Sequence, residues 1–341
     1  RAARRLSPAS SLHSALAGMS SYAIGIDLGG TNLKAAVVHK TDGVVEITKR
    51  PTEADEGPEH VVARIADLVD HMIEGAPGPV TGIGIGSPGP INWERTTVTR
   101  PPNLPGWDSI NLSDELRSTL GLEIPVIVEN DANVAALGSA FYGAGQAYDS
   151  FIMITLGTGV GGAIIYRNQI FRGSTGGAAE IGHMTIDYEG AFANSGVAGA
   201  IEGYLGQSFL SDHARDRLVN YPDSAVHDLV DGDLDRLDPR ILYEAAKDGD
   251  EAARDLLAWA GHKLGCALGS AINLLDIRTV VVGGGVSAAG DFILDPAREA
   301  LPDFVMPGLR SDLKILQEVL GNEVSLLGAA RLAIEGREAQ V

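Results

Sequence analysis

A carboxylate, Asp131, stands where an apolar run gives way to a helical pattern, and glycine-rich turns lie on both sides of it in the chain. The run Ile124–Val128 reads as a buried strand. It ends in Glu129-Asn130-Asp131, and a helix with Val134, Leu137 and Phe141 on one face follows. A strand end opening a helix is a usual ligand position in α/β proteins. A second apolar strand, Phe151–Thr155, runs into Gly157-Thr158-Gly159-Val160-Gly161-Gly162. Such glycines bring backbone N–H groups against a phosphate without Cβ interference. Near the start, Tyr22–Ile26 runs into Asp27-Leu28-Gly29-Gly30-Thr31-Asn32-Leu33-Lys34 and returns through Ala35–Val38. That is a tight hairpin, not the strand-to-helix turn of a P-loop. Gly29 and Gly30 permit close approach to phosphate oxygens, Thr31 adds a hydroxyl, and Asn32 and Lys34 share a strand face. Asp27 is placed to hold Mg²⁺ through water near the phosphates. A base beside a phosphate cradle is what transfer of a phosphoryl group to a hydroxyl requires, and Asp131 is that base. An ordinary Asp pKa, near 4, is expected to serve.

Other residues suit the acceptor and the nucleotide. Asn103, in the rigid loop Pro101-Pro102-Asn103-Leu104-Pro105-Gly106-Trp107, can donate to and accept from a sugar hydroxyl, though a turn-forming Asn fits that place equally well. Glu180-Ile181-Gly182-His183 sets a carboxylate and an imidazole three residues apart, with Glu202 further on. A lone histidine is more often a core residue, but the two carboxylates beside it match the dense hydroxyls of a hexose. The strand Thr279–Val282 opens into Gly283-Gly284-Gly285, a bare ledge for a flat adenine or ribose and by itself a weak feature.

The 341 residues suggest two domains, and 45% hydrophobic with 21% charged residues indicates a globular core. A net charge of −19 makes a nucleic-acid surface an unlikely main function. The single cysteine, Cys266, excludes an internal disulfide and reads as packed core. No apolar run reaches the ~18 residues of a membrane span. Residues 1–19 are expected to be a disordered tail, resembling a transit peptide or preceding a true start at Met19. Residues 41–58 read as polar loop, and Val61, Ile65, Leu68, Val69 and Met72 mark a helix. Val80–Gly86 is a strand with one almost bare face, and 223–238 is a solvated connection. In the helix over 252–275, Gly261, Gly265 and Gly269 form a smooth ridge for close packing, inside the domain or at a subunit contact.

From Tyr22 to Ile334 these pieces resemble the ROK family of repressors and sugar kinases. The marks are Asp27-Leu28-Gly29-Gly30-Thr31, Pro102–Trp107, Glu129-Asn130-Asp131, Leu156–Gly162, Glu180–His183 and Gly283-Gly284-Gly285-Val286. The resemblance implies an α/β, two-domain actin-like ATPase (ribonuclease H-like) fold with the active site in the interdomain cleft. A small domain would take residues 20–130 with a final helix, 325–341, packed back on it, and a large domain 131–324. It implies an ATP- and Mg²⁺-dependent hexose kinase, cytoplasmic and homodimeric, that makes glucose 6-phosphate. Asp131 would be the base, with Asn103, Asn130, Glu180, His183 and Glu202 on the sugar. Asp27, Gly29, Gly30, Thr31, Asn32, Lys34, Gly157, Thr158, Gly159, Gly283, Gly284 and Gly285 would serve the nucleotide. N-acetylmannosamine, fructose or a range of hexoses are alternative acceptors, and polyphosphate an alternative donor. The regulator branch of the family needs a DNA-binding helix-turn-helix, for which the stretch before Tyr22 is expected to be too short. Family members usually carry three zinc-binding cysteines after the Glu-x-Gly-His motif; here those positions are Ala193, Ser195 and Ala200. No structural zinc is therefore expected, and Ser195, a backbone carbonyl or a water is expected to fix the free nitrogen of His183.

Overall fold

The computed structural model describes residues 22–336. The expected amino-terminal tail and the end of the expected last helix, 337–341, lie outside the described residues. The chain opens with β1 (Tyr22–Leu28), β2 (Asn32–His39), β3 (Gly43–Pro51), α1 (Pro58–Gly75) and β4 (Val80–Ser87). A short ribbon, β5 (Thr97–Thr99) and β6 (Ser109–Asn111), leads to α2 (Leu112–Leu120) and β7 (Val126–Asn130). Next come α3 (Asp131–Tyr142), β8 (Phe151–Leu156), β9 (Val160–Tyr166) and β10 (Gln169–Ile170). The remainder holds α4 (Gln207–Leu218), α5 (Pro239–Lys247), α6 (Glu251–Leu275), β11 (Thr279–Gly283), α7 (Asp291–Phe304), β12 (Lys314–Gln317) and α8 (Glu323–Glu335).

Among the described residues the strands other than β5 and β6 form two five-stranded sheets of one topology, β3-β2-β1-β4-β7 and β10-β9-β8-β11-β12. In each, the first strand pairs antiparallel with the second and parallel with the fourth. The turn after the first strand therefore lies at the carboxyl ends of the parallel strands, the edge where open α/β sheets bind ligands. The stretch 41–58, expected as loop, contains the edge strand β3. Its alternating Val45, Ile47 and charged residues are half-solvated, which hides a strand from a reading based on apolar runs. β7 begins only after Pro125, whose ring nitrogen cannot donate to the ladder, and reaches Asn130.

The apolar stripe of α1, with Val61, Ile65, Leu68 and Met72 fully buried, packs on Ile24, Ile26 and Leu33. The opposite face of the first sheet is bare at Gly25 and Gly84, and α8 lies directly on it: a Cβ at either glycine would overlap the α8 backbone at Leu326 or Ala329. Helix α3 leaves the first sheet and packs on the second, Ala132, Ala135 and Ala136 meeting Phe151, Met153 and Ala163. Helix α8 leaves the second sheet and packs on the first. The two helices cross at Gly138 and Gly328. The glycine ridge of α6 is covered by α7 of the same chain, at Ile293, Ala297 and Phe304, so it is not a subunit contact. Cys266 is half-buried on α6 rather than part of the core.

Candidate active site

The site grows from the carboxyl ends of β1, β4 and β7. Across that edge Asp27 is in register with Gly86, Gly86 with Glu129, and Ser87 with Asn130. Asp131 is the first residue of α3, and Asn130 caps the helix by accepting from the backbone N–H of Ala132 (2.9 Å) and of Asn133 (3.3 Å). Such a cap contributes about 1 kcal/mol. The Asn130 amide nitrogen donates to Gly89 O at 3.4 Å. Asp131 Oδ1 accepts from Ala132 N at 2.8 Å. Burial raises the Asp131 pKa to about 6; the carboxylates of Asp27 and Glu180 add to the rise, and the Ala132 N–H opposes it. The expectation of an ordinary value near 4 is thus corrected: withdrawal from water and two neighbouring negative charges disfavour the ionised form.

The first glycine turn is pinned from three sides. Gly29 N donates to Asn32 O at 3.0 Å, Thr52 Oγ1 donates to Gly29 O at 2.6 Å, and Thr52 N donates to Thr31 O at 3.0 Å. Lys34 Nζ reaches Asp27 Oδ2 at 3.1 Å. Asn103 adopts a left-handed backbone, φ 66°, and lies against the turn. A Cβ on Gly30 would stand 2.6 Å from Asn103 O, so the glycine is what lets the amide loop dock there. Trp107 of that loop is buried with Leu104 in the core.

The second glycine turn meets the third glycine run. Gly283 pairs with Thr155, and Gly284, at φ 88°, packs on the Leu156 carbonyl. Gly157 N donates to Gly159 O, and Val160 N donates to Glu202 Oε2 at 3.2 Å. The N–H groups of Thr158 and Gly159 make no hydrogen bond among the described residues and remain for a ligand. Glu202, expected on the sugar, therefore also braces this turn. Gly161 faces α3, its missing Cβ 3.2 Å from Ala132 Cβ, which sets the turn beside Asp131.

Two close approaches bring the imidazole in. Gly162 and Gly182 each lie where a Cβ would overlap backbone, at Ala179 O and Val160 O respectively. The 3₁₀ turn Ile181–His183 is thereby laid on β9, with Glu180 at its head and His183 Nε2 3.8 Å from Glu180 Oε2. Asp27, Asp131, Glu180, His183 and Glu202 thus converge around the two turns. His183 Nδ1 is buried and has no hydrogen-bond partner among the described residues, and Ser195 is exposed, so the expected Ser195 or carbonyl contact is not made there. The loop instead closes on itself through Ala193 N to Val197 O, Ile186 N to Gly199 O, and Tyr204 Oη to Asp187 Oδ2. With Ala193 and Ala200 buried in place of thiolates, the donor set does not fit zinc. Thr52, Arg95 and Arg172 join the surroundings of the site without any local motif to announce them.

Residues 23–336 match the family described as the ROK family. A glucokinase from Streptomyces coelicolor is 36% identical over 319 residues, covering 92% of this chain and 97% of that protein. A glucokinase from Thermotoga maritima is 32% identical over 312 residues, with the same two shares covered. The crystal structure of a ROK family glucokinase from Streptomyces griseus, solved with glucose and AMPPNP, superposes with a TM-score of 0.82 at 36% identity, covering 92% of this chain and all of that one. The fold is the actin-like two-domain ATPase fold of ROK sugar kinases.

Proposed function

The chain belongs to the ROK family, and from that premise we propose that it is a glucokinase, moving the γ-phosphoryl group of ATP to the 6-hydroxyl of glucose. The observation that carries this reading is Asp131, held at a strand end between the glycine turns at Gly29 and Gly157. Likeness to glucokinases over nine-tenths of the chain supports glucose as acceptor.

The sugar hydroxyl is set toward Asp131, which accepts its proton as the bond to phosphorus forms. Asn103, Asn130, Glu180, His183 and Glu202 orient the ring. Thr158 and Gly159 N–H groups, Thr31 and Lys34 hold the phosphates, and the Gly283–Gly285 run receives the adenosine. One partly exposed carboxylate beside phosphate oxygens suits Mg²⁺, which keeps most of its waters, so Asp27 fits as its protein ligand. Bound there, Mg²⁺ would neutralise charge on the β- and γ-phosphates. Lys34 must then share Asp27 with the ion. We assign residues 22–130 with α8 to a small domain and 131–322 to a large one, closing over the cleft to exclude water. The reaction belongs in the cytoplasm, where ATP is; among the described residues no helix is long and apolar enough to cross a membrane. A dimer would have to use a surface other than the covered α6 ridge.

The test is a coupled assay with ATP and Mg²⁺, comparing glucose, mannose, N-acetylmannosamine and fructose, with Asp131→Asn alongside. Glucose turnover that falls at least ~10²-fold in the variant is expected. Activity on another sugar alone moves the substrate, and none on any sugar overturns the reading.

A further inference from the structure

Glu129 is wholly buried, and it is not alone. Arg95 Nε donates to Glu129 Oε2 at 2.8 Å, and Arg172 Nε lies 3.0 Å from the same oxygen, off the direction of a hydrogen bond. The other oxygen accepts from Asn130 N at 2.9 Å and Asn133 Nδ2 at 3.1 Å. The terminal nitrogens of Arg172 donate to the carbonyls of Trp93 (2.7 Å) and Asn92 (2.8 Å), and its guanidinium stands 5.1 Å over the Trp93 ring. Both arginines are nearly as buried as the acid, at 3% and 7% exposure.

Three charges withdrawn from water are costly, and well-packed apolar residues often replace such clusters without loss of stability. What the cluster does supply is position. Glu129 is two residues before Asp131 and bonds the backbone of Asn130. Arg172 follows β10 and heads the segment Gly173–His183, which carries Glu180 and His183. Gly176 of that segment has no room for a Cβ beside the Ile91 carbonyl, so it is seated on the same 91–93 stretch that Arg172 grips. The cluster is thus the joint between the strand that presents the base and the segment that presents the sugar ligands.

We propose that Arg172 is a positioning residue of the transfer reaction: through Glu129 and the Asn92 and Trp93 carbonyls it sets the Glu180–His183 segment against Asp131. This rests on the sugar-kinase reading above. Misplacement here should loosen the sugar and leave the nucleotide untouched, because the turns at Gly29, Gly157 and Gly284 are held by other contacts. A loose sugar also admits water as the phosphoryl acceptor, giving ADP and inorganic phosphate in place of ADP and sugar phosphate.

The experiment measures kcat, the KM values for glucose and ATP, and the ratio of ADP to sugar phosphate formed, in wild type, Arg172→Met and Arg172→Lys. For Arg172→Met, kcat/KM for glucose is expected to fall roughly 10- to 100-fold, as for a misplacement near 1 Å. The ATP KM should stay within about twofold, a sign that the loss is not a general one. The ADP ratio should rise above that of wild type. Arg172→Lys keeps the charge without the paired carbonyl bonds and should fall between. Should the methionine variant fail to fold, the lysine variant decides. A glucose KM and ADP ratio equal to wild type in a folded variant overturns the inference, even with a lowered Tm. Wild-type protein inactive on every hexose overturns the functional reading and the inference together, and is seen before any substitution is made.

Discussion

Gly138 and Gly328 face each other where α3 crosses α8, and a Cβ on either would enter the backbone of the other helix. No side chain fits in that crossing, so the helices touch main chain to main chain. Since α3 carries Asp131 at its start and α8 covers the first sheet, this contact sets the spacing between Asp131 and the Gly29 turn.

Gly328→Ala is expected to destabilise the protein by about 3 kcal/mol or more, the upper range for an overpacked interior. A lower Tm by calorimetry, together with reduced kcat in the protein still folded, is the expected result. An unchanged Tm would show that the helices can separate freely.

Acid should switch the enzyme off earlier than an ordinary aspartate would. With Asp131 lifted to about 6, kcat/KM for glucose should fall one decade per pH unit below about 6. A flat profile down to pH 5 would exclude Asp131 as the group that must be ionised.

The same shift has a stability consequence of known sign. Between 3.8 and about 6 the folded chain holds a proton on Asp131 that the unfolded chain has released. Stability from this group is complete below 3.8 and is lost as the pH rises through about 6. Asp131→Asn, which has no proton to lose, should raise Tm at pH 7 and give no comparable gain at about pH 3, where Asp131 is mostly protonated in the folded and the unfolded chain alike.

Gly182→Ala should raise the glucose KM by at least about tenfold, because the new methyl displaces the Glu180–His183 turn from the Val160 carbonyl. Gly177→Ala is the control, since a Cβ there meets nothing within 4 Å. Equal kinetics in the two variants would remove the turn from the sugar site.

Thr52→Val removes the 2.6 Å hydrogen bond to Gly29 O and leaves the shape. A loss of about 1 kcal/mol in holding the turn corresponds to roughly a fivefold rise in the ATP KM. A change in the glucose KM alone would place Thr52 elsewhere in the mechanism.

Asp131 and the glycine turns were legible because each is a local pattern: an apolar run, a break, and a change of period within a dozen residues. The bonds that organise the site are not local. Thr52 reaches Gly29 across 23 residues, Glu202 reaches Val160 across 42, and Arg172 reaches Trp93 across 79. None leaves a periodicity to read. The raised pKa of Asp131 was equally hidden, because burial belongs to the folded chain and not to any stretch of it. Edge strand β3 escaped for the opposite reason: its pattern is local but half-polar. The bare face of the Val80–Gly86 strand was visible as missing side chains, yet only the structure shows that α8, far along the chain, covers it at Gly84 and covers Gly25 beside it.

That last separation bears on how the protein is made. The first sheet is complete at Asn130, and the helix that covers its glycine face begins at Glu323, so 323 − 130 = 193 residues must follow before the cover arrives. At ribosomal speeds of about 5–20 residues per second this leaves an apolar sheet face open for roughly 10–40 s. The nascent chain is therefore a natural client for a holding chaperone during that interval. A library of truncated fragments should be soluble only when the piece bearing α8 is supplied in trans.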